Sequence, residues 1–116
     1  MQDTSIDLNL TAPRSGRNLL GRYAWLARLA DKVRADHAGS VGEYIAYCEV
    51  SKGFLERAGV SVTEFDGLIR RGASDADLVR HFDERASDAQ RGAANRYVLE
   101  DMKSRLDEQD AEEGRL

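Results

Sequence analysis

A chain of 116 residues, 41% hydrophobic and 33% charged, reads as one soluble globular domain long enough to bury about two thirds of its unfolded surface. A net charge of -4 and a pI near 5.2 argue against nonspecific nucleic-acid binding, which rests on neutralising phosphates. One cysteine, Cys48, excludes an internal disulfide and a cysteine-built zinc cage, and no apolar run nears the ~20 residues of a membrane span.

The charge is unevenly placed. Residues 1–99 are balanced, and the whole acidic excess lies in residues 100–116, where seven acids face Lys103, Arg105 and Arg115. Between positions 14 and 34 the cations Arg14, Arg17, Arg22, Arg28, Lys32 and Arg34 meet only Asp31. The first residues lack the basic and apolar stretches of a signal peptide, so the expected compartment is the cytoplasm, which a lone cysteine also suits.

Residues 1–12 alternate weakly through Ile6, Leu8 and Leu10 and end before Pro13, which biases the preceding residue away from helix; they read as an extended arm. From Ser15 or Gly16 the apolar positions Leu19, Leu20, Tyr23, Ala27, Ala30 and Val33 recur at steps of three or four, which predicts a helix that Gly21 kinks or divides and Gly39 ends. Ser40-Val41-Gly42-Glu43 has capping-box spacing, and Val41, Tyr44, Ile45 and Cys48 follow at helical steps, favouring a short helix over a strand. Further helices are expected around Phe54 and Leu55, closed by Gly59; from Ser61 or Thr63 to Gly72; and from Ser74 through Leu78, Val79 and Phe82. The last and longest starts at Ser87-Asp88-Ala89-Gln90, another capping box, and runs through Ala94, Val98 and Met102 to Leu106. Residues 107–116 offer nothing apolar to bury and are expected to fray as an acidic tail. The fold class is therefore all-α: a compact bundle of five or six short helices over residues 13–106, with an extended N-terminal arm.

Pro13-Arg14-Ser15-Gly16-Arg17, then Arg28 with Asp31-Lys32-Val33-Arg34-Ala35, then Gly42-Glu43-Tyr44 resemble, in this order, a bacterial family of small proteins known as domain of unknown function 5069. The likeness covers roughly residues 8–82 and is most specific in its first half; where the family pattern has a proline soon after the cysteine, this chain has Glu49-Val50. The resemblance implies a cytoplasmic bacterial protein and brings no activity, cofactor or catalytic residue.

Two constellations carry the candidate ligand-binding residues Arg14, Ser15, Arg17, Arg28, Asp31, Lys32, Glu43 and Tyr44. Arg28, Asp31 and Lys32, at i, i+3 and i+4, share a helix face that is a solvated surface, a buried structural network, or, with Glu43 and Tyr44 folded against it, a polar pocket. Arg14, Ser15 and Arg17 either tie the arm down, the arginines pairing with Asp7 or with acids of the C-terminal helix such as Glu100 or Asp101, or, if a helix starts near Gly16, bind a phosphate or carboxylate at its positive end. No metal-ligand spacing, phosphate loop or nucleophile–base motif occurs, so no metal, cofactor or catalytic residue is assigned, and Cys48 reads as a small inward-facing residue. Two functions fit: a small cytoplasmic binding or interaction module for an anionic small molecule or a protein partner, or a small enzyme acting on an anionic substrate with Glu43 or His37 as general base. Oligomeric state is not written in the sequence.

Overall fold

The computed structural model describes residues 6–115. Six α-helices follow one another: α1 (Leu26–His37), α2 (Glu49–Ala58), α3 (Val62–Arg70), α4 (Asp75–Arg85), α5 (Asp88–Arg96) and α6 (Lys103–Glu112). A π-helical turn, Tyr97–Asp101, joins α5 to α6. Among the described residues there is no strand, only an isolated bridge between Leu20 and Tyr23, and no helix is long and apolar enough to cross a membrane. The fold is a small all-α bundle, 37 × 35 × 20 Å.

Local signals set most boundaries. Ser61, Ser74 and Ser87 each accept from the backbone N–H three residues on, and Glu64, Asp77 and Gln90 reach back to the cap residue's N–H, forming three capping boxes. Gly39, at φ 75°, ends α1: its own N–H donates to Asp36 and that of Ser40 to Ala35, a Schellman close that needs a left-handed residue.

The element at the centre is α1, buried from Leu26 to Ala35. Leu26, Leu29, Ala30 and Val33 meet Phe54 and Leu55 of α2, Phe65 of α3, Leu78 and Phe82 of α4, and Val98 and Leu106 beyond α5. Each large apolar side chain sealed there contributes about 1.5–3 kcal/mol. Phe82 is the hub, stacked on Phe54 at 5.8 Å and met edge-on by Tyr23 at 5.4 Å and Phe65 at 6.1 Å.

Three stretches differ from what periodicity predicts. Residues 15–25 are turns, not helix. Gly21 takes φ 60°, Leu20 and Tyr23 exchange backbone hydrogen bonds, and the Asn95 side chain clamps Arg22 and Ala24. Residues 41–48 are turns as well, because the Ser40 hydroxyl donates to the Ile6 and Ala35 carbonyls instead of capping, and Gly42 turns left-handed at φ 61°. The acidic stretch expected to fray instead stays helical to Glu112, since Asp110 and the Glu113 side chain are buried against the N-terminal half. Of the arm expected over 1–12, residues 1–5 lie outside the described residues; Leu8 is buried and its N–H donates to Ser40.

Trp25 precedes α1 at φ 72°, the one non-glycine described residue with positive φ, and is fully buried. For a bulky residue this backbone is strained by about 1–3 kcal/mol, held only because the surroundings fix it. The ring lies against Gly16, where an added Cβ would sit 2.5 Å from Cε3. Gly16→Ala is accordingly expected to destabilise the fold by about 1–3 kcal/mol, read as a lower denaturant midpoint at unchanged slope.

Candidate functional site

The segment before α1 is stapled down by its own charges. The Arg14 backbone N–H and guanidinium donate to Asp31 at 2.9–3.1 Å, and the guanidinium reaches Asp75 at 3.0 Å, which also accepts from Arg34 at 2.8 Å. The hydrogen bond to Asp31 is the main cause raising the Arg14 pKa above its ordinary value. Ser15 Oγ donates to Asp110 at 2.8 Å, and Arg17 donates to Asp110 and Asp107 at 2.6 Å each. The helix start expected near Gly16, whose positive end would bind an anion there, is absent. The expected pairing with acids of the last helix holds for Arg17, through Asp107 and Asp110 in place of Glu100 or Asp101, whereas Arg14 pairs with Asp31 of α1 and Asp75 of α4 and not with Asp7.

A second group converges elsewhere. Arg28 and Lys32, one turn apart on α1, lie over the Trp25 ring at 5.6 and 5.1 Å from its centroid, and Tyr44 covers Arg28 from the other side, also at 5.6 Å. Glu113, carried back by α6, receives both Arg28 terminal nitrogens at 2.9 and 2.7 Å and the Tyr44 hydroxyl at 3.2 Å, with Arg115 also bonded to it. These groups form one wall of an open hollow of about 720 Å³ between α1, the turn before α2, and α6. Lys32 and Cys48 complete its floor, and the exposed Glu43, Glu108 and Glu112 line its mouth.

Lys32 is the unusual member. It is 3% exposed, and no carboxylate or carbonyl among the described residues accepts from it; its hydrogen bond goes to Cys48 Sγ at 3.4 Å. Burial lowers its pKa, against the upward pull of the nearby Cys48 and Glu113 charges. Burial likewise works to raise the Glu113 carboxyl, yet the Arg28 guanidinium, the Tyr44 hydroxyl and Arg115 outweigh it and hold the group below the usual range. Two buried polar atoms at the hollow's lining residues, Arg28 Nε and Gln109 Oε1, have no hydrogen-bond partner. No group of three His, Cys, Asp or Glu among the described residues is placed to hold a metal ion.

Of the eight residues singled out by sequence, Arg28, Lys32, Glu43 and Tyr44 line the hollow; Arg14, Ser15, Arg17 and Asp31 belong to the neighbouring ionic network. Arg28, Asp31 and Lys32 are buried, so their shared face is not a solvated surface, and Asp31 pairs with Arg14, not Arg28. His37 bonds Asp66 of α3 at 2.9 Å and is not among the hollow's lining residues. Sequence reasoning took Cys48 for a small inward-facing residue and missed Gln109 and Glu113. The first had a legible signal, a thiol three residues before Ser51 at a helix start; the others lie far along the chain from their partners.

A small all-α domain with one polar hollow set against its central helix is thus defined. The family described as domain of unknown function DUF5069 matches residues 10–115, and the chain belongs to it. No curated protein matches the chain.

Proposed function

We propose that this protein is a small-molecule-binding module of the bacterial cytoplasm whose site is the hollow between α1 and α6. The ligand carries an acidic group, a carboxylate or phosphate, that meets the Lys32 ammonium beside Arg28, and a basic end that faces Glu43, Glu108 and Glu112. One observation carries this reading: an ammonium nine-tenths buried with no carboxylate or carbonyl partner among the described residues. Its hydrogen bond to the Cys48 sulfur uses one of three N–H donors, and an incoming anion takes up the two that are left buried without an acceptor. The acidic mouth selects against a simple dianion and for a zwitterion. A single free cysteine fits the reducing compartment assumed.

Thermal shift with L-lysine, a carboxylate bearing two ammonium groups, and with succinate, which has only carboxylates, tests it. At ten times Kd, bound ligand stabilises by about 1.4 kcal/mol, or ~5 °C in a domain of this size. L-lysine is expected to raise Tm saturably and succinate much less, with neither acting on Lys32→Met. Equal shifts in wild type and Lys32→Met, or no shift from either compound, would overturn the assignment.

A further inference from the structure

Cys48 is the N-cap of α2, a ten-residue helix, so its sulfur stands at the positive end of the helix dipole. Lys32 Nζ lies 3.4 Å from Sγ on one side and Ser51 Oγ 3.5 Å on the other. Ser51 is itself fixed: its hydroxyl donates to the Ala46 carbonyl at 3.0 Å and receives the Trp25 indole N–H at 3.0 Å. The thiol is half-buried and lines the 720 Å³ hollow, so a small molecule has a route to it. The lysine beside it, 97% buried by its 3% exposure, has spent one of three N–H donors on sulfur; two remain for whatever enters.

We propose that Cys48 is a peroxide-reactive thiolate, oxidised to a sulfenic acid by a small neutral hydroperoxide that enters the hollow, with Lys32 holding the sulfur and receiving the departing oxygen. A sulfur lone pair attacks the terminal hydroxyl oxygen of the peroxide. The S–O bond forms as the O–O bond breaks, and the transferred oxygen keeps its hydrogen as Cys–SOH. Sulfur loses two electrons and the peroxide gains them, leaving as hydroxide or alkoxide. That anion takes a proton from the Lys32 ammonium and departs as water or an alcohol, and the amine regains its proton from solvent. With one cysteine in the chain no internal disulfide can follow, so return to the thiol falls to an external thiol.

The choice of oxidant follows from the mouth of the hollow. Glu43, Glu108 and Glu112 outnumber the one cation there, Arg105, and repel anionic oxidants and the disulfides of acidic thiols, whereas a neutral hydroperoxide meets no such barrier. The other charged groups around the sulfur are Arg28 on α1, Glu49 beside it on α2, Arg105 on α6 within 3.9 Å of Glu49, and Glu113 after α6. Burial pushes the thiol up, but the Lys32 charge and hydrogen bond, together with the Ser51 backbone N–H, outweigh it and bring the group below its ordinary value.

The test uses the full reduced chain. The pH profile of Cys48 alkylation by iodoacetamide is compared between folded and urea-unfolded protein, and hydrogen peroxide is added with dimedone to trap sulfenic acid, read by intact mass. Near pH 7 the folded thiol is expected to react about tenfold faster than the unfolded one, to slow about tenfold in Lys32→Met, and to give one dimedone adduct. A folded thiol no faster than the unfolded one, or no adduct under peroxide, would overturn the assignment. Should Lys32→Met fail to fold, the folded and unfolded wild-type chains decide alone. The inference needs the hollow and not its ligand, so absent thermal shifts with peroxide reactivity intact would sink only the binding proposal.

Discussion

Glu113→Ala is expected to destabilise the protein by about 3–5 kcal/mol, a large share of the 5–15 kcal/mol typical of a whole domain. The Arg28 and Glu113 side chains are 2% and 7% exposed, and their two parallel hydrogen bonds exclude water from both charges. Removing the carboxylate leaves a guanidinium buried with the Arg14 carbonyl at 3.3 Å as its remaining acceptor, and strips the Tyr44 hydroxyl of its partner. The comparison is Lys103→Ala, which loses an exposed i,i+4 pair with Asp107 and is expected to change stability by no more than about 0.5 kcal/mol. Urea titration of both variants gives the difference directly. Equal effects would mean that the buried pair holds nothing. The double variant Arg28→Met/Glu113→Met is expected to lose less than the two single losses combined, because each alone leaves an uncompensated charge.

This pair also marks where sequence reading stopped. Ser40-Val41-Gly42-Glu43 has capping-box spacing and fails as a cap because its hydroxyl bonds the Ile6 and Ala35 carbonyls. The serine caps that form, Ser74 and Ser87 outright and Ser61 as one of two candidates, were legible because the signal sits within four residues. Gly39 and Gly59 were legible for the same reason, as left-handed closes after apolar periodicity. Periodicity without such local closure misled. Leu19, Leu20 and Tyr23 keep helical spacing, but Leu19 is exposed and Tyr23 reaches the core through a turn, locked there by Asn95 from a helix 71 positions away. The tail misled in the opposite sense. It has little apolar surface, and it is fixed by Asp107, Asp110 and Glu113 to cations 85–93 positions earlier, a separation over which charge patterning carries no register.

The candidate site divides along the same line. Arg28, Lys32 and Tyr44 converge because a helical face and an adjacent turn are local geometry. That Lys32 would meet a thiol and Asp31 an arginine was undetermined, since i, i+3 and i+4 spacing favours Arg28–Asp31 pairing on an isolated helix. The fold rotates Asp31 toward Arg14 and leaves the ammonium to the hollow. The last long helix was also read as continuous, whereas Tyr97 lies across α2 at Gly53, where an added Cβ would come within 2.4 Å of the ring. The wider π turn at Tyr97–Asp101 accompanies that approach.

The paired carboxylates of α3 and α4 and of the tail should make the protein acid-labile. Glu64 is held down to about 2, chiefly by hydrogen bonding from Arg85 and also by His81. In Asp66, Asp75 and Glu113 burial acts to raise the pKa, and it is overcome by His37 and Tyr47, by Arg14 and Arg34, and by Arg28 respectively, leaving each carboxyl below its ordinary value. A carboxylate whose folded pKa lies below its unfolded one stabilises the fold in full above the unfolded value and loses that contribution as pH falls through the folded one. The expected result is a stability plateau above about pH 5 and a progressive loss of stability between there and about pH 2. Protonating Glu113 leaves Arg28 buried without its counter-charge, the same imbalance that alanine creates. Glu113→Gln is therefore expected to be less stable than wild type at pH 7 yet to have a shallower acid limb, because one proton fewer is taken up on unfolding. Urea midpoints measured at half-unit steps of pH separate the two effects. An acid limb of unchanged steepness in Glu113→Gln would show that this carboxylate is not part of the linkage, and a flat profile from about pH 5 to about pH 2 would show that these ion pairs do not stabilise the fold.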